Sequence, residues 1–134
     1  MNTNVVDVIK SLENTISLNS ASDTDIVRAE LELRVSFAED YKSYLTAFGA
    51  VIGDGFELTG ITKAAHRNVV EVTKQEWQLN LKVPHSMYVI ENTHIDSIII
   101  WQDKSGKVYK TIAGEEPKYL VSSLVDYINL VSNK

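Results

Sequence analysis

The chain reads as an α+β protein: an antiparallel meander sheet with N-terminal, middle and C-terminal helices packed around it. Three observations predict this. Five stretches carry apolar residues at a 3.6-residue period behind helix-start signals. Short apolar runs fill the gaps between them and are bounded by Gly, Pro, Asp and Ser. Two of those runs flank Asp103-Lys104-Ser105-Gly106, a tetrapeptide with the chemistry of a tight hairpin turn.

The first helix follows Asn4 and sets Val5, Val8, Ile9, Leu12 and Ile16 on one stripe. Asn14 to Ala21 reads as a polar connection. Ser22 and Asp25 form a capping box, in which each side chain satisfies a free N–H of the other. They open a helix that carries Ile26, Ala29 and Leu33 inward. Ser36 and Glu39 repeat the pattern ahead of Phe37, Tyr41, Tyr44, Leu45 and Phe48, and Gly49 supplies a left-handed stop. A fourth helix runs from Asn68, with Glu71 three residues on, toward Leu79; Val70, Thr73 and Trp77 share its face. The last begins near Ser123 with Asp126 as box partner, its stripe being Leu124, Ile128 and Val131, with Leu120 and Val121 leading in.

The expected strands are Phe56 to Leu58, Met87 to Ile90, Ile98 to Trp101 and Val108 to Ile112. Ile98, Ile99 and Ile100 do not alternate with polar residues. Both faces of that strand should be covered, which makes it central. No internal repeat, low-complexity tract or linker divides the chain. Its 134 residues suit one domain, 1–134. A chain of this size buries about two thirds of the surface its unfolded form exposes.

Composition excludes several function classes. With no cysteine, there is no disulfide and no thiolate ligand. The formal charge of −5 argues against a nucleic-acid binder, whose footprint is a basic face. No apolar run approaches the length of a membrane span. Met1 to Lys10 lacks the basic-then-apolar order of a signal peptide, so the expected compartment is the cytoplasm. Charge is unevenly placed: residues 1–60 hold ten acids and four bases, whereas residues 61–134 hold eight acids and nine bases. An acidic first half is either a solubilising face or a surface complementary to a basic partner.

Catalytic chemistry finds little support. His66, His85 and His94 lack the i, i+4 spacing of a helical metal site. Glu39-Asp40 point apart on a helix, and Glu115-Glu116 precede Pro117 in a loop, where a solvated pair is the plain reading. No G-x-S-x-G and no phosphate-binding loop occurs. Gly53-Asp54-Gly55 is an ordinary turn. Trp77 and Trp101 suit either core packing or a binding hot spot. No cofactor and no metal is expected.

The segment Glu30-Leu31-Glu32-Leu33-Arg34-Val35-Ser36-Phe37-Ala38-Glu39-Asp40-Tyr41-Lys42-Ser43-Tyr44-Leu45, ending at Phe48-Gly49, resembles the signature of the SUKH superfamily. Bacterial members of that superfamily are similar to fungal cell-wall assembly regulators of the Smi/Knr type. Glu30, Leu33, Phe37, Asp40, Tyr41, Lys42, Tyr44, Leu45 and Gly49 sit at matching places. Phe56 to Ile61, Met87 to Ile90, Ile98 to Trp101, Gly106 to Tyr109 and Ser122 to Ile128 match in order, whereas Thr62 to Val83 does not. Arg34 stands where the family has Gly, and Ala38 where it has Pro.

The resemblance implies a binding protein. Many bacterial members are immunity proteins that neutralise a polymorphic toxin, often a nuclease, by stoichiometric occlusion. A cationic nuclease would meet an acidic inhibitor favourably. The expected partner is therefore a cognate, basic toxin domain, with no nucleic acid and no membrane, and the protein a monomer or weak homodimer. The alternative is a regulatory or scaffolding module of the Smi/Knr type; an enzyme is the third reading. Asp54 and Glu57 at the Gly-rich turn, with Asp96 and Trp101 at the meander, are the expected partner-binding residues, since loops beside a sheet concentrate such roles.

Overall fold

The structure is a computed structural model and describes residues 4–132. Met1 to Thr3, where the leader reading begins, and Asn133 and Lys134 lie outside the described residues. In chain order the elements are α1 (Val5–Lys10), β1 (Ile16–Ser17), α2 (Asp23–Leu33), α3 (Glu39–Phe48), β2 (Val51–Gly53), β3 (Phe56–Glu57), a 3-10 turn (Ala65–Arg67), α4 (Val69–Leu79), β4 (Tyr88–Asn92), β5 (Ile99–Gln102), β6 (Val108–Thr111), β7 (Lys118–Val121) and α5 (Leu124–Ser132). The α+β class and the five helices agree with the sequence reading.

Two antiparallel sheets form, in the orders β1-β2-β3 and β4-β5-β6-β7. They are joined where the Thr59 N–H donates to the Ile90 carbonyl at 2.9 Å and the Thr59 hydroxyl to the Val89 carbonyl at 2.8 Å. α1 packs on α3 and α5, α2 on α3 and α4, and α4 lies against β4. Ile9, Leu33, Tyr41, Tyr44, Leu45, Ile90 and Ile128 belong to one continuous core. β5 is interior to its sheet and all four of its residues are buried, as its unalternating isoleucines require. Gly106 takes φ +100° in the β5–β6 turn, where Asp103 accepts the backbone N–H groups of Ser105 and Lys107.

Local signals hold at three helix starts. Asn4 caps α1, Asn68 caps α4, and the Ser22–Asp25 box is complete in both directions. The Ser36–Glu39 box does not form. α3 starts one residue after Ala38, which provides no side-chain cap. Tertiary partners serve instead: Glu30 accepts the Phe37 N–H at 2.8 Å and the Tyr88 hydroxyl accepts the Ala38 N–H at 2.9 Å. Glu39 turns to Lys42, 3.2 Å away. At α5 half a box survives. Ser123 accepts the Asp126 N–H, while the Asp126 carboxylate takes the Ser122 hydroxyl.

Three strands escape the sequence reading. Ile16 is not on the α1 stripe but in β1, paired with Ile52 and 61% exposed. α1 ends at Lys10, and Asn14 at φ +61° bends the chain away. β2 and β7 are also new. A two-residue strand such as β1 is too short for a period, and β7 faces solvent at Lys118 and Tyr119, so alternation is absent from both.

Gly49 is held by two constraints. Its φ is +73°, and a Cβ there would stand 1.9 Å from the Asn19 carbonyl oxygen. Arg34, the residue in place of the family glycine, caps α2 with φ +57°. Gly49→Ala should therefore lower stability by about 2–4 kcal/mol in urea melts. Arg34→Gly should raise it by about 1 kcal/mol, because only a side chain is strained at that position. Equal and small effects would contradict both assignments.

Candidate functional site

The segment richest in recognisable pattern, Glu30 to Gly49, is spent on holding the fold. Glu30 takes the Phe37 N–H and faces Lys42 at 3.9 Å. Asp40 accepts from the Gln102 side chain at 3.0 Å with Oδ1 and from the Leu124 N–H at 2.9 Å with Oδ2. The Tyr41 hydroxyl meets the Thr59 hydroxyl at 2.9 Å, and the Tyr44 hydroxyl donates to the Thr59 carbonyl while accepting the Val51 N–H. Burial pushes the Tyr41, Tyr44 and Tyr88 hydroxyls well above the ordinary tyrosine range, so these donors keep their protons. Phe37, Tyr41, Tyr44 and Tyr88 stack or meet edge-on between these bonds.

The acidic first half is largely committed as well. Asp25, Glu30, Glu32, Glu39, Asp40 and Glu57 all have intramolecular partners. Glu57 accepts from Arg67 Nε at 2.7 Å, and its own N–H donates to the buried Glu91, whose other oxygen takes the Tyr127 hydroxyl. Burial first, and Glu91 second, push the Tyr127 hydroxyl far up. The excess negative charge thus does not amount to an unoccupied face on α2 and α3.

A cleft of about 500 Å³ opens at one end of the four-stranded sheet. Its floor is Asn92, Ile99 and Thr111, which are cross-strand neighbours at the ends of β4, β5 and β6. Glu76, Leu79 and Asn80 from the end of α4 form one wall; His94 and Ser97 form another, and Ala113 and Gly114 a third. Its size is that of a ligand or side-chain pocket. Exposed large apolar side chains occur in it and at chain positions next to it. Leu79 is 68% exposed, and Leu81, Ile95 and Ile112, at 87%, 62% and 40%, each adjoin a lining residue in the chain.

The loop from β4 to β5 is strained. His94, Asp96 and Ser97 have φ of +57°, +52° and +60°. Left-handed backbone costs a side-chain-bearing residue about 1–2 kcal/mol, and such strain concentrates at functional sites. Thr93 stabilises the turn by donating to the Ile98 carbonyl at 2.8 Å and accepting the Ile95 N–H. The outcome is that Ile95 is presented to solvent. Half-buried Glu76 has its carboxyl pushed up by burial, with the His94 imidazole pulling the other way. Its carboxylate accepts no hydrogen bond from a described residue.

The four residues expected to meet a partner fall in two places. Asp54 is exposed on the β2–β3 turn and Glu57 is half-buried beside Arg67. Asp96 is exposed in the strained loop, next to the cleft. Trp101 is buried in the core and is also one of the residues that line the cleft. Its Nε1–H donates to Thr111 Oγ1 at 2.9 Å. β5 is covered on both faces, which is why an aromatic at that position is buried. Glu76, Leu79, Leu81, Ile95 and Ile112 are the residues sequence reasoning missed. Apolar residues at the ends of predicted elements were the only signal, and they are indistinguishable from core positions without the fold.

Among the described residues no group of three or more His, Asp and Glu side chains could hold a metal ion. No described helix is long and apolar enough to cross a membrane.

These features describe an α+β domain whose polar signature is internal and which carries a mixed cleft with exposed apolar residues at and next to it. A family model described as SMI1-KNR4 cell-wall, SUKH_5, matches residues 3–131, and the chain belongs to that family. A crystal structure of a protein from Pseudomonas syringae pv. tomato has the same fold, with a TM-score of 0.72 at 18% identity over 96% of this chain and 95% of that one. No curated protein matches the chain significantly.

Asp40→Ala should lower stability by about 3 kcal/mol, since it removes a helix cap and strands the buried Gln102 amide; equilibrium unfolding measures this. Glu76 behaves oppositely. A carboxyl raised in the folded state supports folding at acid pH, and that support is lost as pH rises from the ordinary glutamate range through the raised value. Glu76→Gln should therefore be more stable than wild type at pH 7, with the advantage gone below about pH 4. A variant less stable at pH 7 would show that the carboxylate is held by a favourable partner.

Proposed function

We propose that the protein is an immunity protein that binds a cognate toxin domain and blocks it stoichiometrically, with no bond made or broken. The observation that carries this reading is the set of exposed apolar residues at the cleft: Leu79 in its lining, and Leu81, Ile95 and Ile112 each next in the chain to a lining residue. Scattered exposed apolar residues are ordinary, but a cluster with polar groups at its centre has the anatomy of a protein interface. Membership of the SUKH family supports a binding role over an enzymatic one. Charge supports a basic partner: Glu76 lines the cleft, and Asp96 and Glu115 are exposed beside lining residues.

Asp96 is the contact from the sequence reading that lies at this surface. Asp54 is proposed as a contact only if the partner also reaches the β2–β3 turn. Trp101, buried in the cleft wall, fixes the floor through its bond to Thr111.

The test is co-expression with the toxin encoded beside this gene. Wild type should protect the host and form a 1:1 complex. Leu81→Asp combined with Ile95→Asp should cut affinity at least about a hundredfold and abolish protection, with circular dichroism and melting temperature unchanged. Higher salt should slow association. Full protection by the double variant would remove the cleft rim from the interface. A gene standing alone, with a host protein captured at this face, would favour the scaffolding module.

A further inference from the structure

We infer that the cleft is a socket for one arginine side chain projecting from the partner protein. This rests on the protein-binding reading above and specifies what enters the cleft. Three features of the molecule converge on a long side chain with a cationic tip.

The first is shape and polarity. Leu79, Ile99 and Ala113 line the cleft with apolar surface suited to a methylene stem. Glu76 supplies a carboxylate in the same cavity, and no described residue donates a hydrogen bond to it. A planar guanidinium can bond both oxygens of a carboxylate, which a point-charge ammonium cannot do.

The second is the end of α4. Glu76, Leu79 and Asn80 bring the C-terminal turn of that helix to the cleft. The carbonyl ends of a helix's last turn carry partial negative charge, and a cation near them is favourable. The last turn of α4 has no basic residue of its own. A partner cation would supply that missing complement.

The third is the rim. Asp96 and Glu115 are exposed next to lining residues and Glu76 lines the cleft itself, against Lys110 as the one lysine or arginine adjoining a lining position among the described residues, with the His94 imidazole in the lining. The field at the mouth therefore favours a positive tip over a negative one. Burial at Glu76 is tolerable on the same grounds. Without a cation its charged form is disfavoured, and an entering guanidinium would reverse that.

The experiment uses the full chain, isotope-labelled, and N-acetyl-arginine methylamide as probe, followed by two-dimensional ¹⁵N NMR. The two tryptophan indoles make internal reporters. Trp101 Nε1–H bonds to Thr111 on the cleft floor, whereas Trp77 Nε1–H bonds to the Met87 carbonyl elsewhere. The probe should bind saturably at about millimolar strength, as suits one side chain. It should move the Trp101 indole signal and leave that of Trp77 in place. The isosteric neutral probe, N-acetyl-citrulline methylamide, should bind at least about tenfold more weakly. Glu76→Gln should weaken arginine binding by at least about tenfold with the spectrum otherwise preserved. Glu13→Gln, an exposed carboxylate in the loop after α1, should bind like wild type.

Equal binding of the arginine and citrulline probes overturns the inference, as does undiminished binding by Glu76→Gln. A Trp101 shift produced by N-acetyl-glutamate methylamide would make the cleft an anion site, and one produced by diluting the protein alone would make it a self-association surface. Either result also overturns it. The probe needs no toxin, so the two proposals fail separately. Rim variants that lose protection while the arginine probe does not bind would leave the interface standing and end the socket.

Discussion

The Asp40 carboxylate is the constraint on which the rest of this structure depends. One oxygen takes the Gln102 amide, 62 positions along the chain, and the other takes the Leu124 N–H, 84 positions along. α3, the central strand β5 and the start of α5 are thereby set against one another by a group that hydrogen-bonds strongly because it is charged. Gln102 is fully buried and still satisfied, because Asp40, the Gly106 carbonyl and the Tyr88 hydroxyl use its amide. Tyr88 in turn accepts the Ala38 N–H at the entrance to α3. The circuit closes on the helix where it began.

A signature spent in this way has a functional consequence. Glu30, Asp40, Tyr41 and Tyr44 cannot meet a partner while they hold α2, α3, the sheets and α5 together. Family members can therefore keep these residues and differ in what they bind. The surface we propose for recognition is the far end of the meander, where β4, β5 and β6 stop and α4 runs out. There the molecule tolerates features that a purely structural region would avoid: three left-handed residues, solvent-facing leucines and isoleucines, and a carboxylate pushed toward neutrality by burial. These lower stability locally, which is the usual relation between a binding surface and the scaffold that carries it.

Much of the fold was legible because its cues are local. Asn4, Ser22 and Asn68 each announce a helix with a side chain that reaches only three residues ahead. Ile99 and Ile100 reveal a strand covered on both faces by their own composition. The failures also have physical causes. Ser36 and Glu39 spell a capping box, but α3 starts after Ala38 and Glu39 turns to Lys42, while Glu30 and Tyr88 take the N–H groups of Phe37 and Ala38. Ile16 continued a helical stripe on paper, yet Asn14 bent the chain and the open edge of β2 captured it. The candidate site was least legible. Asp96 lies in an exposed polar loop that adjoins the cleft. Trp101 lines the cleft yet is buried, and an aromatic on a strand gives no hint of which side is covered.

By itself the sequence determined the helix boundaries marked by caps, the buried central strand, the glycine stop at Gly49 and membership of a fold family. All of these depend on interactions spanning a few residues or on composition. Only the tertiary structure decided that the acidic residues of the first half are mostly engaged within the chain, and that Leu79 lines a cleft beside which Leu81, Ile95 and Ile112 stay exposed. Proximity between α4 and the ends of three strands is created by packing, and no local pattern encodes which apolar residue will find a neighbour and which will be left facing water.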